Sequence, residues 1–213
     1  MISTHLRKPL HIPCDDEWMG GIILAFQWLY MNSLYPACTL NDINDTLDRV
    51  PHTFDSQASW MRFMFQNGME QVEYTTYETD RGIKSFDGYV DIERLYRGKD
   101  VDIKALRRSY PMWLEYQQAV KAIQDEFSSR HIRFSRAATL TDVTQLIADG
   151  YGIIIDGANQ DNGWARMILV YGYSTGMDGQ FTAYDPDNGV IFVSPDVLLA
   201  ASSDLGAWRP IKA

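Results

Sequence analysis

The chain has 213 residues, 46% of them apolar and 22% charged, which is enough for one sizeable core and ordinary for a globular domain. A net charge of −9 and a pI near 4.8, with Lys and Arg scattered, exclude a nucleic-acid backbone as partner, because phosphate binding needs a concentrated basic face. No run approaches the roughly 20 consecutive apolar residues of a membrane span, and "MISTHLRKPLHIP" lacks the apolar centre of a secretion signal, so a cytoplasmic protein without a membrane partner is expected.

In chain order, the first helix follows Gly20-Gly21. Ile22, Ile23, Phe26, Leu29 and Tyr30 fall on one face at helical spacing, with Gln27 and Asn32 on the other. "TLNDINDTLDRV" repeats the pattern with Leu40, Ile43, Leu47 and Val50, and "DSQASWMRFMFQNG" predicts a third helix closed by Gly68. "VEYTTYET", residues 72–79, alternates as an exposed strand does. Residues 84–127 read as helical decoration, with Pro111 early in a helix and Trp113, Tyr116 and Val120 as its packing face, and "IKALRRSY" as a solvated helix face.

The last third is the most regular. "TLTDVTQLIADG" is a helix capped by Thr139, with Asp142 three residues on, Leu140, Val143, Leu146 and Ile147 apolar, and Gly150 closing it. The strands "YGIIIDG", "ARMILVYGY", "QFTAYDP" and "GVIFVS" follow, separated by turns such as "STGMDG", which predicts an antiparallel sheet rich in hairpins. Helices first and a sheet last is an α+β order. The expected organisation is a single domain over 1–213 with a helical insertion around 84–135.

That C-terminal run, a helix, "GIIID", a loop, a strand ending "YGY" and a strand ending "YDPDNG", resembles the second half of papain-like cysteine peptidases of the C39-like group. The likeness covers roughly residues 9–31 and 139–208. It implies a papain-like fold with an N-terminal helical lobe, a C-terminal antiparallel sheet and a cleft between them. The family has a His at the entrance of the strand leading to Gly-Tyr, and here that position is Arg166; its Asp-Pro falls on Asp185-Pro186. Its Cys-Gly pair opens the long helix, where a helix N-terminus lowers the thiol pKa and supplies an oxyanion amide. Laid on "EWMGGIILAFQWL", the pattern puts Met19 on the nucleophile, Gly20 on the glycine and Pro13 on the oxyanion-hole Gln.

A thioether has no proton to lose and cannot attack a carbonyl. The resemblance therefore implies a catalytically inactive homologue that binds a peptide or protein partner in the degenerate cleft, lined by Trp18, Met19, Trp164, Arg166 and Asp185. Asp185 is expected to pair with the Arg166 guanidinium. No cofactor and no metal are expected; "DPDNG" lacks the downstream Glu of a calcium loop, and Pro186 suits a turn.

Two alternatives stay open. Cys14 could serve an active peptidase or acyl transferase, although "CDDE" sets carboxylates beside the sulfur and raises its pKa, and a base would have to come from His5, His11, His52 or His131. Cys38 reads as a buried small hydrophobe. The third reading is an interaction protein that uses its acidic surface. The loop "GANQDNGW" with Trp164 is either a lid or an anchored loop.

Overall fold

The computed structural model describes residues 6–12, 17–34, 41, 56–75, 118–156, 167–176, 179–201 and 204–211. Their elements are α1 (Glu17–Met31), α2 (Ser56–Gln66), β1 (Met69–Thr75), a helical stretch at 118–126, a 3-10 turn (Ser128–Arg130), β2 (His131–Phe134), α3 (Leu140–Ala148), β3 (Gly152–Asp156), β4 (Met167–Ser174), β5 (Gln180–Asp185), β6 (Gly189–Val193), α4 (Pro195–Ala201) and β7 (Asp204–Pro210). The strands form one sheet in the order β2-β1-β7-β3-β4-β5-β6, antiparallel throughout except for the parallel pair β1-β2. This is a mixed α+β fold.

Side-chain alternation along the strands sorts the core into two. On one face Ile154, Met167, Leu169, Tyr184 and Trp208 meet α1, α2 and Ile123 of the stretch 118–126. On the other, Ile153, Ile155, Ile168, Val170, Phe181 and Ala183 meet Val143, Leu146 and Ile147 of α3 and Leu198 of α4. Both faces of the central strands are covered, which is why "GIIID" and "MILV" read as unbroken apolar runs.

Several expectations change here. Among the described residues α1 packs on β3 and β4, and α2 leads directly into β1. The strand expected at 72–79 begins at Met69 and is interior, paired on both sides, with Val72 and Tyr74 buried. Within the stretch read as a helical insertion, 118–126 is helical, but 131–134 is an edge strand of the sheet. β7 lies between β1 and β3, where the sequence reading contained no element. Of the helix expected around Leu40 to Val50 only residue 41 is described, and Trp113 and Tyr116 lie outside the described residues.

The helix α1 is buried on nearly every side. Its expected polar face fails at Gln27, which is fully buried and uses its amide on the backbone of Leu10, accepting from the Leu10 N–H (3.0 Å) and donating to its carbonyl (2.8 Å). Glycines permit the close approaches. A Cβ on Gly21 would come within 2.8 Å of the Trp60 indole nitrogen, and one on Gly152 within 2.7 Å of the Trp28 ring. Gly68 and Gly150 close α2 and α3 with φ of 77° and 86°, the left-handed conformation that ends a helix.

The start of α3 is as the sequence predicts. Thr139 Oγ1 accepts from the Asp142 N–H (3.2 Å), and the Asp142 carboxylate accepts from the Thr139 N–H (2.8 Å) and hydroxyl (2.6 Å). Arg136 adds a two-pronged pair to the same carboxylate at 2.7 and 2.9 Å, while its guanidinium lies 5.0 Å from the Tyr74 ring centre. The Arg136 hydrogen bond, which outweighs the opposing effect of burial, and the two Thr139 bonds hold Asp142 well below the usual carboxylate range. A depressed folded-state pKa means that this stabilisation is present above the unfolded value, near 3.9, and is lost as the pH falls through the folded one. Asp142→Asn is expected to cost about 1 kcal/mol at neutral pH and to flatten the acid limb below about pH 4, measured by urea unfolding across that range. An acid limb identical to the wild type would rule out this role.

Candidate functional site

Of the positions that the sequence resemblance singles out, Asp185 lies within the described sheet, at the end where the chain enters β4 and leaves β5. Leu169 stands opposite Tyr184 in the β4-β5 register, so Met167, which opens β4, and Asp185, which closes β5, belong to the same end of two hydrogen-bonded strands. Arg166 immediately precedes Met167 in the chain; Arg166 itself, Trp164, Pro13 and Cys14 lie outside the described residues. Trp18 and Met19 fall in the first turn of α1, and their side chains lie outside the described residues.

Asp185 is fully buried. Its Oδ1 accepts from the Asp187 N–H (2.8 Å) and the Asn188 N–H (3.2 Å), and its Oδ2 accepts from Asn188 Nδ2 (2.9 Å). The carboxylate thus organises the tight turn to Gly189, whose φ of 78° favours glycine, and this is the local chemistry that "DPDNG" encodes. Alternation from Tyr184 puts residue 185 on the strand side shared by Phe181 and Ala183, which face the second core and not α1. With no surface of its own, Asp185 can shape a site by fixing this turn, and it presents no oxygen to solvent.

The polar group that does sit beneath α1 at this end is the Tyr184 phenol, which sequence reasoning passed over. Its hydroxyl accepts from the Ile12 N–H (2.9 Å), and burial pushes its pKa up. Together with Gln27 it holds residues 6–12 as an extended segment beside α1, and the Arg7 N–H closes the far end on the Met31 carbonyl (3.1 Å). His11 of this segment lies beside Gly189. A glutamine flanked by apolar residues throughout "IILAFQWLYM" was the available signal, since a buried amide must find backbone or side-chain partners.

Of the four histidines that could serve Cys14 as a base, His5 and His52 lie outside the described residues, and His131 lies far from the chain that leads to position 14. His131 opens the edge strand β2 and its Nε2 is 2.9 Å from Glu73 Oε2. Ile12, two residues before Cys14, is bonded to β5, and β5 is five strand spacings from β2, about 24 Å at the usual separation. His131 therefore stands at the opposite edge of the sheet from the chain leading into position 14.

One other titratable cluster is structural. Glu70 and Arg209 are cross-strand partners joined by an ion pair, and Glu70 also accepts from the Tyr151 hydroxyl (3.0 Å) while Arg209 lies 4.5 Å from the Tyr151 ring centre. Burial first, then the Glu70 hydrogen bond and charge, pushes the Tyr151 phenol up to about 12. The cluster ties β1 and β7 to the end of α3. Among the described residues no three His, Cys, Asp or Glu side chains are placed to hold a metal ion, and no helix is long and apolar enough to cross a membrane.

No family model matches the chain, and no curated protein or solved structure matches it.

Proposed function

We propose that this chain is a catalytically inactive relative of the C39-like, papain-like peptidases that binds an extended peptide or a segment of a partner protein. The observation that carries the reading is the placing of the first turn of α1, with Met19 in it, in a helix packed on β3 and β4, in a sheet where the entrance of β4 and Asp185 at the close of β5 share one end. In the family that arrangement brings a thiolate to an imidazole. Here the sequence has a thioether at 19 and a guanidinium at 166.

Loss of the nucleophile leaves the recognition chemistry. Met19 is an adaptable apolar contact, Trp18 and Trp164 are aromatic walls, and Arg166 is a cation for a carboxylate or a backbone carbonyl, with the Asp185 turn as their support. The acidic balance of the chain favours a basic or neutral peptide over an acidic one.

A peptide-array screen followed by titration of the best binder tests this. Trp164→Ala and Met19→Ala are each expected to weaken binding by about tenfold, the loss of one well-buried contact of roughly 1.4 kcal/mol, with unfolding midpoints near the wild type. Unchanged affinity in both variants would move the interface away from this end of the sheet.

A further inference from the structure

The strand β6 stands at one edge of the sheet, and among the described residues no strand pairs with its outer side. An edge strand leaves every second backbone N–H and C=O without a strand partner, and native edges are guarded against further pairing by charge, by proline or by a bulge. The opposite edge, β2, follows that rule with His131 and Arg133 among its four residues. β6 does not. Residues 188–194, "NGVIFVS", carry no charge and no proline, and the register of β6 on β5 is unbroken. Among the other described strands only β4 is equally free of charge, and β4 is interior. β6 thus has the composition of a strand that is paired on both sides.

Its side chains carry the same message. Val190 stands opposite Tyr184 and Phe192 opposite Thr182, so both lie on the first-core side of the sheet. α1 packs on β3 and β4, and Val190 and Phe192 are left 47% and 67% exposed. Together they make an apolar patch on a backbone edge that is already open, and such a patch marks an interaction surface.

We infer that β6 is the contact edge of a two-fold dimer, in which it pairs antiparallel with β6 of a second copy and continues the sheet across both chains. The strand is its own best complement. An antiparallel register centred on Ile191 sets Val190 opposite Phe192 of the second copy, twice, and Gly189 opposite Val193. Each exposed ring then meets a β-branched side chain, a favourable cross-strand pair. No charge falls within the paired stretch, although each chain carries −9. An isologous contact of this kind closes at two chains. Pairing ends at Pro195, which has no N–H to give. At each end the same register brings the exposed Asp187 of one copy next to the exposed Asp196 of the other, so the ends repel while the centre attracts. The inference does not depend on the peptide-binding reading.

Sedimentation equilibrium of the full chain tests it. One short strand pair is a small contact, so the mass is expected to rise from 24.4 kDa toward twice that value between roughly 1 and 100 µM and to stop at the dimer. Raising the salt from about 0.05 to about 0.5 M is expected to tighten association, because it screens the repulsion between Asp187 and Asp196 and leaves the apolar contact. Phe192→Lys, at a mostly exposed position, should weaken association by about tenfold or more with an unchanged far-UV circular dichroism spectrum, and Ile132→Lys on β2 should leave it as in the wild type. A chain that stays monomeric over that range, growth past the dimer, or weakening by salt overturns the inference. So does a Phe192→Lys variant that associates like the wild type, or loss of the dimer in a folded Ile132→Lys variant.

Discussion

Gly152→Ala is expected to destabilise the protein by about 3 kcal/mol, the upper part of the range for overpacking a filled core. The added methyl would sit 2.7 to 2.8 Å from three atoms of the Trp28 ring, closer than carbon atoms approach one another. Neither side can yield easily. Gly152 opens β3 and is held in register opposite Trp208 of β7, and Trp28 is only 1% exposed within α1. Because α1 rests on the sheet through this contact, Trp28→Phe in the same chain should recover part of the loss, so the double variant is expected to be less destabilised than the sum of the singles. Urea midpoints for the set decide it. A Gly152→Ala midpoint equal to the wild type would mean that α1 does not sit on β3 as described.

Asp185→Ala is expected to cost about 2 kcal/mol, because it removes the buried carboxylate that accepts three hydrogen bonds from the exposed residues Asp187 and Asn188 and leaves those donors to water. Asp185→Asn keeps one carbonyl oxygen for the Asp187 and Asn188 N–H groups and should lose roughly half as much. The pairing with Arg166 expected from the sequence is a separate matter that a double-mutant cycle measures. A coupling between Arg166→Ala and Asp185→Asn above about 1 kcal/mol would establish it, and additive effects would assign Asp185 to the turn alone. Wild-type stability for Asp185→Ala would contradict both roles.

The elements that were legible in the sequence are those whose signals are local. The Thr139 box, the glycines after α2 and α3, and the β3-to-β6 meander are each set by residues within a few positions of one another, and they form as read. What was hidden depends on distant partners. β7, "DLGAWRP", lacks β-branched residues and contains a glycine and a proline, yet it is central because Leu205 and Ala207 meet the second core while Trp208 fills the first. The stretch 72–79 looked exposed because Glu73 alternates with Val72 and Tyr74, but Glu73 lies 2.9 Å from His131 on the neighbouring strand, and Glu70, which precedes that stretch, is paired with Arg209. Gln27 looked solvated because its partner, the Leu10 backbone, is seventeen residues away.

The candidate site divides in the same manner. "DPDNG" was legible as a turn, and Asp185 makes it. The pleat side of Asp185 was not legible, since it follows from which residues of β5 face α1, and that is settled by packing between elements far apart in the chain. Tyr184 was missed because its partner is an N–H at the other end of the chain, that of Ile12.

In the proposed reading no activated thiol serves this protein, and the alkylation rate of Cys14 decides it. The Cys38→Ser variant leaves Cys14 as the sole thiol, and its reaction with iodoacetamide is followed from pH 5 to 10. The acidic neighbours Asp15, Asp16 and Glu17 favour the neutral thiol, so the expected rate is no faster than that of free cysteine, with a midpoint at or above the usual value of about 8.5. Labelling about tenfold faster, with a midpoint below about 7, would contradict the account and make Cys14 the nucleophile of an active enzyme.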